Sequence, residues 1–251
     1  MNNIFLEINN CINAGKKAAL CIVVNTNGST PRKAGAKMIV YENGDISGTI
    51  GGGELENFVI QKALESIKTK SIFFIENNLL KEFNMQCGGN VRIYIEPLKP
   101  ESKLYIFGAG HIGKILAEIA TKTDFNVTVI DNRKGIFNQW DNNSFNLIEK
   151  EFDTALNDLK FDENTYLCTI TQNHSTDSQV LSYCAKQKFA FLGMIGSKGK
   201  FENFKKQHAT ELSVEQFNRI ECPLGINIKA QTPAEIAVSI LARLIEVRAE
   251  S

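Results

Sequence analysis

The chain has 251 residues, 43% of them apolar, and its 28 basic and 28 acidic side chains cancel to a formal charge of zero. That length suits one large domain or two small ones with buried cores, and a neutral chain without a basic tract excludes nucleic acid as the main partner. No apolar run reaches the ~18 residues of a membrane span, and residues 1–20 read as an amphipathic helix rather than a signal peptide. The six cysteines are scattered with no C-x-x-C pair, which argues against structural zinc and for reduced thiols in the cytoplasm.

The N-terminal part reads as a small α+β unit. Ile4 to Ala14 is a helix and Ala18 to Asn25 (AALCIVVN) a buried strand. Gly28 to Gly35 (GSTPRKAG) is a loop rich in turn formers. AKMIVY and DISGTI flank Glu42-Asn43-Gly44, and Asn-Gly between apolar runs signals a hairpin. Gly51, Gly52 and Gly53 precede a helical pattern with Leu55, Phe58, Val59, Leu64 and Ile67 on its apolar side. SIFFIE and NVRIYIEP are two more strands. Pro97 to Pro100 marks a linker, dividing the chain into domains 1–99 and 100–251.

From Lys103 the pattern alternates between strand and helix. LYIFGAG, NVTVID, YLCTIT and AFLGMIG are candidate parallel strands. Helices are expected over Ile112 to Thr121, Ser178 to Gln187 and Gly199 to Lys206. Thr232-Pro-Ala-Glu235 forms a capping box with proline at the first helical position, opening a last helix. The expected class is α/β: a small N-terminal α+β domain followed by a Rossmann-like parallel-sheet domain.

Gly108-x-Gly110-x-x-Gly113 follows a strand and opens a helix, the pattern that seats a pyrophosphate on a helix N-terminus. Asp131 ends the next strand, where a ribose-binding carboxylate is expected. The alternative is a Rossmann-like domain whose glycines serve packing alone. His111 either touches a phosphate or caps the helix. His174 and Asp177, after the strand YLCTIT, form a pair for acid–base work or metal binding, or merely a helix start. His208 is expected to face solvent. In the first domain, Gly51 to Gly53 make a second candidate anion cradle, with Arg32 or Lys37 to pair with a phosphate. The opposing reading is a strand-to-helix corner, since Glu54 and Glu56 already complement the dipole. Cys87, in MQCGGN, is either a soft-metal or sulfur-carrying thiol or an inert buried one.

Taken as a whole, the chain resembles the xanthine dehydrogenase accessory protein family of the XdhC/CoxI type. The resemblance rests on GSTPRKAGAKMIV, GTIGGGELE and the CGG of Met85 to Asn90, then on IFGAGHIGKILAEIA, VTVIDNR, FLGMIGSKGK and PLGINIKAQTPAEIAVSILARL. It implies a maturation factor, with no turnover of its own, that binds the molybdenum cofactor as cargo. Such a factor assists sulfuration with a cysteine desulfurase and helps insert the cofactor into a molybdenum hydroxylase apoenzyme, commonly as a homodimer. Carried over, the first-domain positions are Gly28 to Arg32, Gly51, Gly52, Gly53, Glu54 and Cys87. The second-domain positions are Gly108, Gly110, His111, Gly113 and Asp131. Three positions depart from the family pattern: Thr171-Gln172 stands where Thr-His is usual, Lys229 replaces a glycine, and Arg243 replaces a glutamate. Two other readings stay open, an NAD(P)-dependent oxidoreductase and a nucleotide-sensing regulator; on either, NAD(P) or another nucleotide would fill the glycine turn.

Overall fold

The structure, a computed structural model, describes residues 4–79, 89–140 and 144–250. The chain forms two compact units, Met1–Pro100 and Glu101–Ser251.

In the first unit, α1 (Ile4–Asn13) leads into β1 (Ala18–Asn27), β2 (Lys37–Tyr41) and β3 (Ile46–Gly48). Then come α2 (Gly53–Thr69), β4 (Phe73–Asn78) and β5 (Asn90–Pro97). The strands form an antiparallel sheet in the order β3-β2-β1-β5-β4. β1 is apolar throughout its first half because both of its faces are covered. Ala19, Cys21 and Val23 pack under Leu55, Val59 and Ala63 of α2, while Ala18 and Leu20 meet Ile4 and Ile8 of α1. Glu7 fastens α1 to the hairpin by accepting hydrogen bonds from Tyr41 Oη at 2.7 Å and Ser47 Oγ at 2.6 Å. The Asn-Gly signal resolves as a three-residue loop. Gly44 N donates to Tyr41 O at 2.8 Å, and Gly44 takes the left-handed conformation that closes such a turn.

The second unit runs β6 (Ser102–Phe107), α3 (His111–Ala120), β7 (Phe125–Asp131), β8 (Asn146–Glu149), α4 (Phe152–Asp158) and β9 (Thr165–Thr169). It continues with α5 (His174–Cys184), β10 (Phe191–Met194), α6 (Lys198–Gln207), α7 (Val214–Asn218), β11 (Ile220–Glu221) and α8 (Pro233–Glu250). The sheet order is β11-β10-β9-β6-β7-β8, with parallel pairing along it. The chain therefore winds outward one way from β6, then returns and winds the other way from β9, the doubly wound Rossmann arrangement. One face buries Leu104, Ile106, Val127 and Val129 against Leu116 and Ala117 of α3 and Ile240 and Leu244 of α8. The other buries Phe107, Ile130 and Leu167 against Leu156 of α4, Leu181 of α5 and Phe204 of α6.

Four short elements were not expected from the sequence: β8, α4, α7 and β11. α5 also begins at His174 rather than Ser178, because Asn173 caps it by accepting from Ser175 N at 3.1 Å. Lys229 keeps a left-handed backbone, φ 58°, at the position where the family pattern has glycine.

Candidate functional site

Ligands of doubly wound sheets sit beyond the carboxyl ends of the strands, where the winding reverses. Here that point lies between β6 and β9, and the glycine turn occupies it. Gly108 leaves β6 with φ 119°, and a Cβ on it would run into the Ile170 carbonyl at the end of β9. Gly113 is packed as tightly on the Gly108 carbonyl. The protein's own backbone requires both glycines. Gly110 is different. It caps α3 in an ordinary extended conformation, φ −72° and ψ −173°, and a Cβ built on it meets nothing within 4 Å. No side chain caps α3. Its first N–H groups and the positive end of its dipole are thus left for an anion. His111, the first helical residue, is exposed beside them.

Asp131 ends β7 and is 3% exposed. Its carboxylate is fully engaged. Oδ2 accepts from Ala109 N at 2.7 Å and Arg133 Nη2 at 2.7 Å; Oδ1 accepts from Arg133 N at 3.0 Å and Arg133 Nε at 2.9 Å. Burial alone would raise its pKa, but the bonds from Arg133 and the Ala109 amide outweigh it and hold the carboxyl below the ordinary aspartate range. Asp131 therefore ties the glycine turn to β7 and aims Arg133; its oxygens have no place left for a ribose diol. Arg133 keeps Nη1 on the far side, 3.4 Å from Gln172 Oε1, and its side chain is 33% exposed.

The 171–177 loop is built around Asp177, whose described partners are Thr171 and Lys200. Asp177 is 1% exposed. Its Oδ1 accepts from Thr171 N at 2.9 Å and Thr171 Oγ1 at 2.6 Å, and its Oδ2 from Lys200 Nζ at 2.8 Å. Lys200 also donates to the Ile195 carbonyl at 3.1 Å. This network holds the ends of β9 and β10 together. It gives FLGMIGSKGK a structural role, because Lys200 neutralises the carboxylate buried under the loop.

In the first unit the three family motifs meet. Pro31 of the Gly28–Gly35 loop lies so close to Gly51 that a Cβ there would come within 2.9 Å of the proline ring. Arg32 stands beside the same glycine, exposed. Gly89 N donates to Ser29 O at 3.0 Å, and a Cβ on Gly89 would come within 2.8 Å of the Asn27 carbonyl. Gly51, Gly52 and Gly53 all have positive φ, so only glycine follows this path easily. Of the amides expected to face an anion, that of Gly52 points instead at Glu56 and that of Gly51 donates to Thr49 Oγ1 at 3.2 Å. Glu56 Oε2 accepts from Ile50 N and Gly52 N, each at 3.1 Å, and from Thr49 Oγ1 at 2.7 Å. Burial opposes ionisation here, but the Thr49 hydroxyl and the backbone amides prevail and hold Glu56 below the usual carboxylate range. Glu54 is exposed. Cys87 lies outside the described residues.

His208, expected to face solvent, is only partly exposed. Its ring lies 4.7 Å from that of Phe204, with Nε2 2.8 Å from Ser178 Oγ and Nδ1 3.2 Å from Glu211 Oε2. Ser178, His208 and Glu211 line a groove of about 700 Å³ beside α5. Ser178 sits inside α5, where backbone amides are used by the helix, so the chain of bonds ties the end of α6 to α5 rather than forming a nucleophile with an oxyanion site. Among the described residues no three His, Cys, Asp or Glu side chains are gathered to hold a metal, and no helix is long and apolar enough to cross a membrane.

Arg133 and Lys200 were not singled out from the sequence. The signal for Arg133 was the Asp-x-Arg spacing just past a strand, which lets the guanidinium fold back on the acid.

Comparison with known proteins agrees with this architecture. The chain is 30% identical over 98% of its length to an uncharacterized protein of Escherichia coli (strain K12), YqeB, covering 46% of that protein. It is 26% identical over 62% of its length to a probable xanthine dehydrogenase subunit of Bacillus subtilis (strain 168), again covering 46% of the relative. The chain thus spans about half the length of these two relatives. A molybdenum cofactor insertion chaperone of Escherichia coli (strain K12), PaoD, is 22% identical over 94% of this chain and 85% of its own. The crystal structure of a xanthine dehydrogenase from Bacillus halodurans shares the fold, with a TM-score of 0.53 and 19% identity over 100% of this chain and 96% of that one. The model of the XdhC and CoxI family matches residues 11–74, and that of the XdhC Rossmann domain residues 104–244. With more than half of its sequence matched by that Rossmann domain alone, the chain belongs to the XdhC and CoxI family.

Proposed function

We propose that this protein binds the molybdenum cofactor as cargo and delivers it to the apoenzyme of a xanthine dehydrogenase-type molybdenum hydroxylase. The observation that carries the reading is the likeness to a molybdenum cofactor insertion chaperone along most of both chains. The chemistry of the second unit supports it. An uncapped helix start, an open Gly110 and a nearby guanidinium suit a phosphorylated pterin. The protein holds and orients the cargo without turning it over. A cysteine desulfurase supplies sulfur to the held cofactor, and Cys87 is the proposed soft contact to its metal. The factor works in the cytoplasm as a homodimer.

The test is anaerobic calorimetric titration with molybdenum cofactor and, separately, with NAD(H) and NADP(H), alongside activation of the client apoenzyme. The reading expects cofactor uptake and activation, both weakened by Gly110→Asp, with activation also weakened by Cys87→Ala. Nicotinamide binding without cofactor uptake would overturn it and favour an oxidoreductase or a nucleotide sensor.

A further inference from the structure

In the usual dinucleotide site, the carboxylate at the end of the second strand accepts hydrogen bonds from a ribose diol. Here four donors already fill Asp131: the Ala109 amide, and the amide, Nε and Nη2 of Arg133. A ribose hydroxyl would have to displace a bidentate guanidinium from a carboxylate that is 3% exposed. The pair thus replaces an acceptor with a donor. The group left facing outward is the far edge of Arg133, one-third exposed, with Nη1 turned toward Gln172 on the loop after β9. That edge sits between the end of β7 and the loop following β9, the strands that flank β6 and its glycine turn.

We infer that Arg133 is a ligand-contacting residue that selects a phosphate monoester over an unmodified ribose diol, and that Asp131 is its positioning residue. This rests on the proposed reading of the glycine turn as the cargo site and adds the chemistry it selects. Arg133 offers at Nη1 the donors an anionic phosphate oxygen accepts, and its bonds to Asp131 fix its plane beforehand. A phosphate monoester of this kind occurs as the terminal phosphate of a pterin cofactor or as the 2′-phosphate of an adenine nucleotide.

The experiment compares, on the full chain, adenosine 2′,5′-bisphosphate with 5′-AMP by calorimetry, and then phosphate-terminated molybdenum cofactor with the wild type and Arg133 variants. The inference expects the bisphosphate to bind at least ~10-fold more tightly than 5′-AMP, a gap of the size one charge-assisted hydrogen bond gives. Arg133→Ala should abolish that ratio and weaken the pterin cofactor; Arg133→Lys, which keeps the charge and guards against a folding defect, should shrink the ratio without erasing it. Asp131→Asn, which also loosens the glycine turn, should weaken the bisphosphate more than it weakens 5′-AMP and so reduce the ratio, a result that general loss of structure would not give. Equal affinity of the wild type for the two nucleotides, or an unchanged ratio in Arg133→Ala, overturns the inference. Those results beside intact molybdenum cofactor uptake would sink the inference alone. Nucleotide discrimination without cofactor uptake would sink the cargo reading and leave the phosphate selectivity standing, its source then the nucleotide.

Discussion

The three glycines of the turn between β6 and α3 should separate cleanly on substitution by alanine. At Gly113 the new methyl would lie well inside the 3.0 Å that Cβ atoms keep from other atoms, against the Gly108 carbonyl. That oxygen belongs to rigid backbone, so the overlap cannot be relieved by a rotamer change, and the cost is about 3 kcal/mol or more. Gly108→Ala adds backbone strain at φ 119° to a clash with Ile170 O and should be at least as harmful. At Gly110 the backbone is extended and no atom lies within 4 Å of the methyl. Alanine is a poorer N-cap than glycine by up to about 1 kcal/mol, but the loss is offset by about 0.4–1 kcal/mol from the less flexible unfolded chain. Trp140, the single tryptophan, sits in the second unit between Phe137 and Phe145, so its fluorescence reports that unit's unfolding. With a urea slope of about 2–3 kcal/mol per molar, Gly113→Ala should lower the midpoint by about 1 M or more, and Gly110→Ala by less than about 0.4 M. Cofactor uptake should nevertheless fall in Gly110→Ala. Unfolding of Gly110→Ala at the Gly113→Ala midpoint, or undiminished uptake by a stable Gly110→Ala, would refute the claim that this glycine is kept open for a ligand.

Glu56→Ala empties the first-unit cradle and leaves its amides without an acceptor, which should cost about 1–3 kcal/mol in denaturant unfolding. Sulfate should recover part of that loss in the variant and not in the wild type, because the cradle then accepts an external anion; equal responses would show that Glu56 does not fill it. Lys229→Gly relieves a left-handed lysine at φ 58° and should raise stability by about 0.5–1 kcal/mol after the entropy of glycine is counted, a gain that a thermal melt would detect. Asp131→Asn should cost about 2 kcal/mol near neutral pH, less than a fully buried pair because Arg133 is partly solvated. The folded pKa of Asp131 is depressed. Its contribution is therefore complete above the ordinary aspartate value of about 4 and fades as pH falls through the lower folded value. The gap in stability between wild type and Asp131→Asn should accordingly narrow below about pH 4, and a gap constant with pH would contradict the bonding described.

Much of the fold was legible because long elements carry long patterns. β6, β7 and β9 are runs of buried apolar residues, and Thr232 to Glu235 announced α8 with a capping box that forms, Glu235 Oε2 accepting from Thr232 N at 2.9 Å. The short elements left weaker traces. β8 is a half-exposed edge strand of four residues and β11 has two, too few for a period to emerge. α7 did carry a readable sign, since Ser213 and Gln216 complete a capping box. The polar start of α5, His174-Ser-Thr-Asp177, has no apolar face, so only the Asn173 cap could have marked it. At the site, residue types pointed to the glycine turn and to Asp131 but not to the partners of either. Whether Asp131 faces a ligand or Arg133, and whether the Gly52 amide faces a phosphate or Glu56, depends on where a side chain folds back, and spacing alone does not decide that.

The buried thiols carry a consequence for a protein proposed to work beside sulfur transfer. Of the five described cysteines, Cys11, Cys21, Cys168 and Cys184 are buried and only Cys222 is partly accessible. Burial pushes the Cys21 pKa up to about 12 and raises those of Cys168 and Cys184 as well. A persulfide arriving from a donor enzyme would find no thiolate at any of these three positions, so stray sulfur has no place to land on them. The same shielding makes alkylation a gauge of fold integrity: iodoacetamide should modify the four buried positions only as fast as the chain opens.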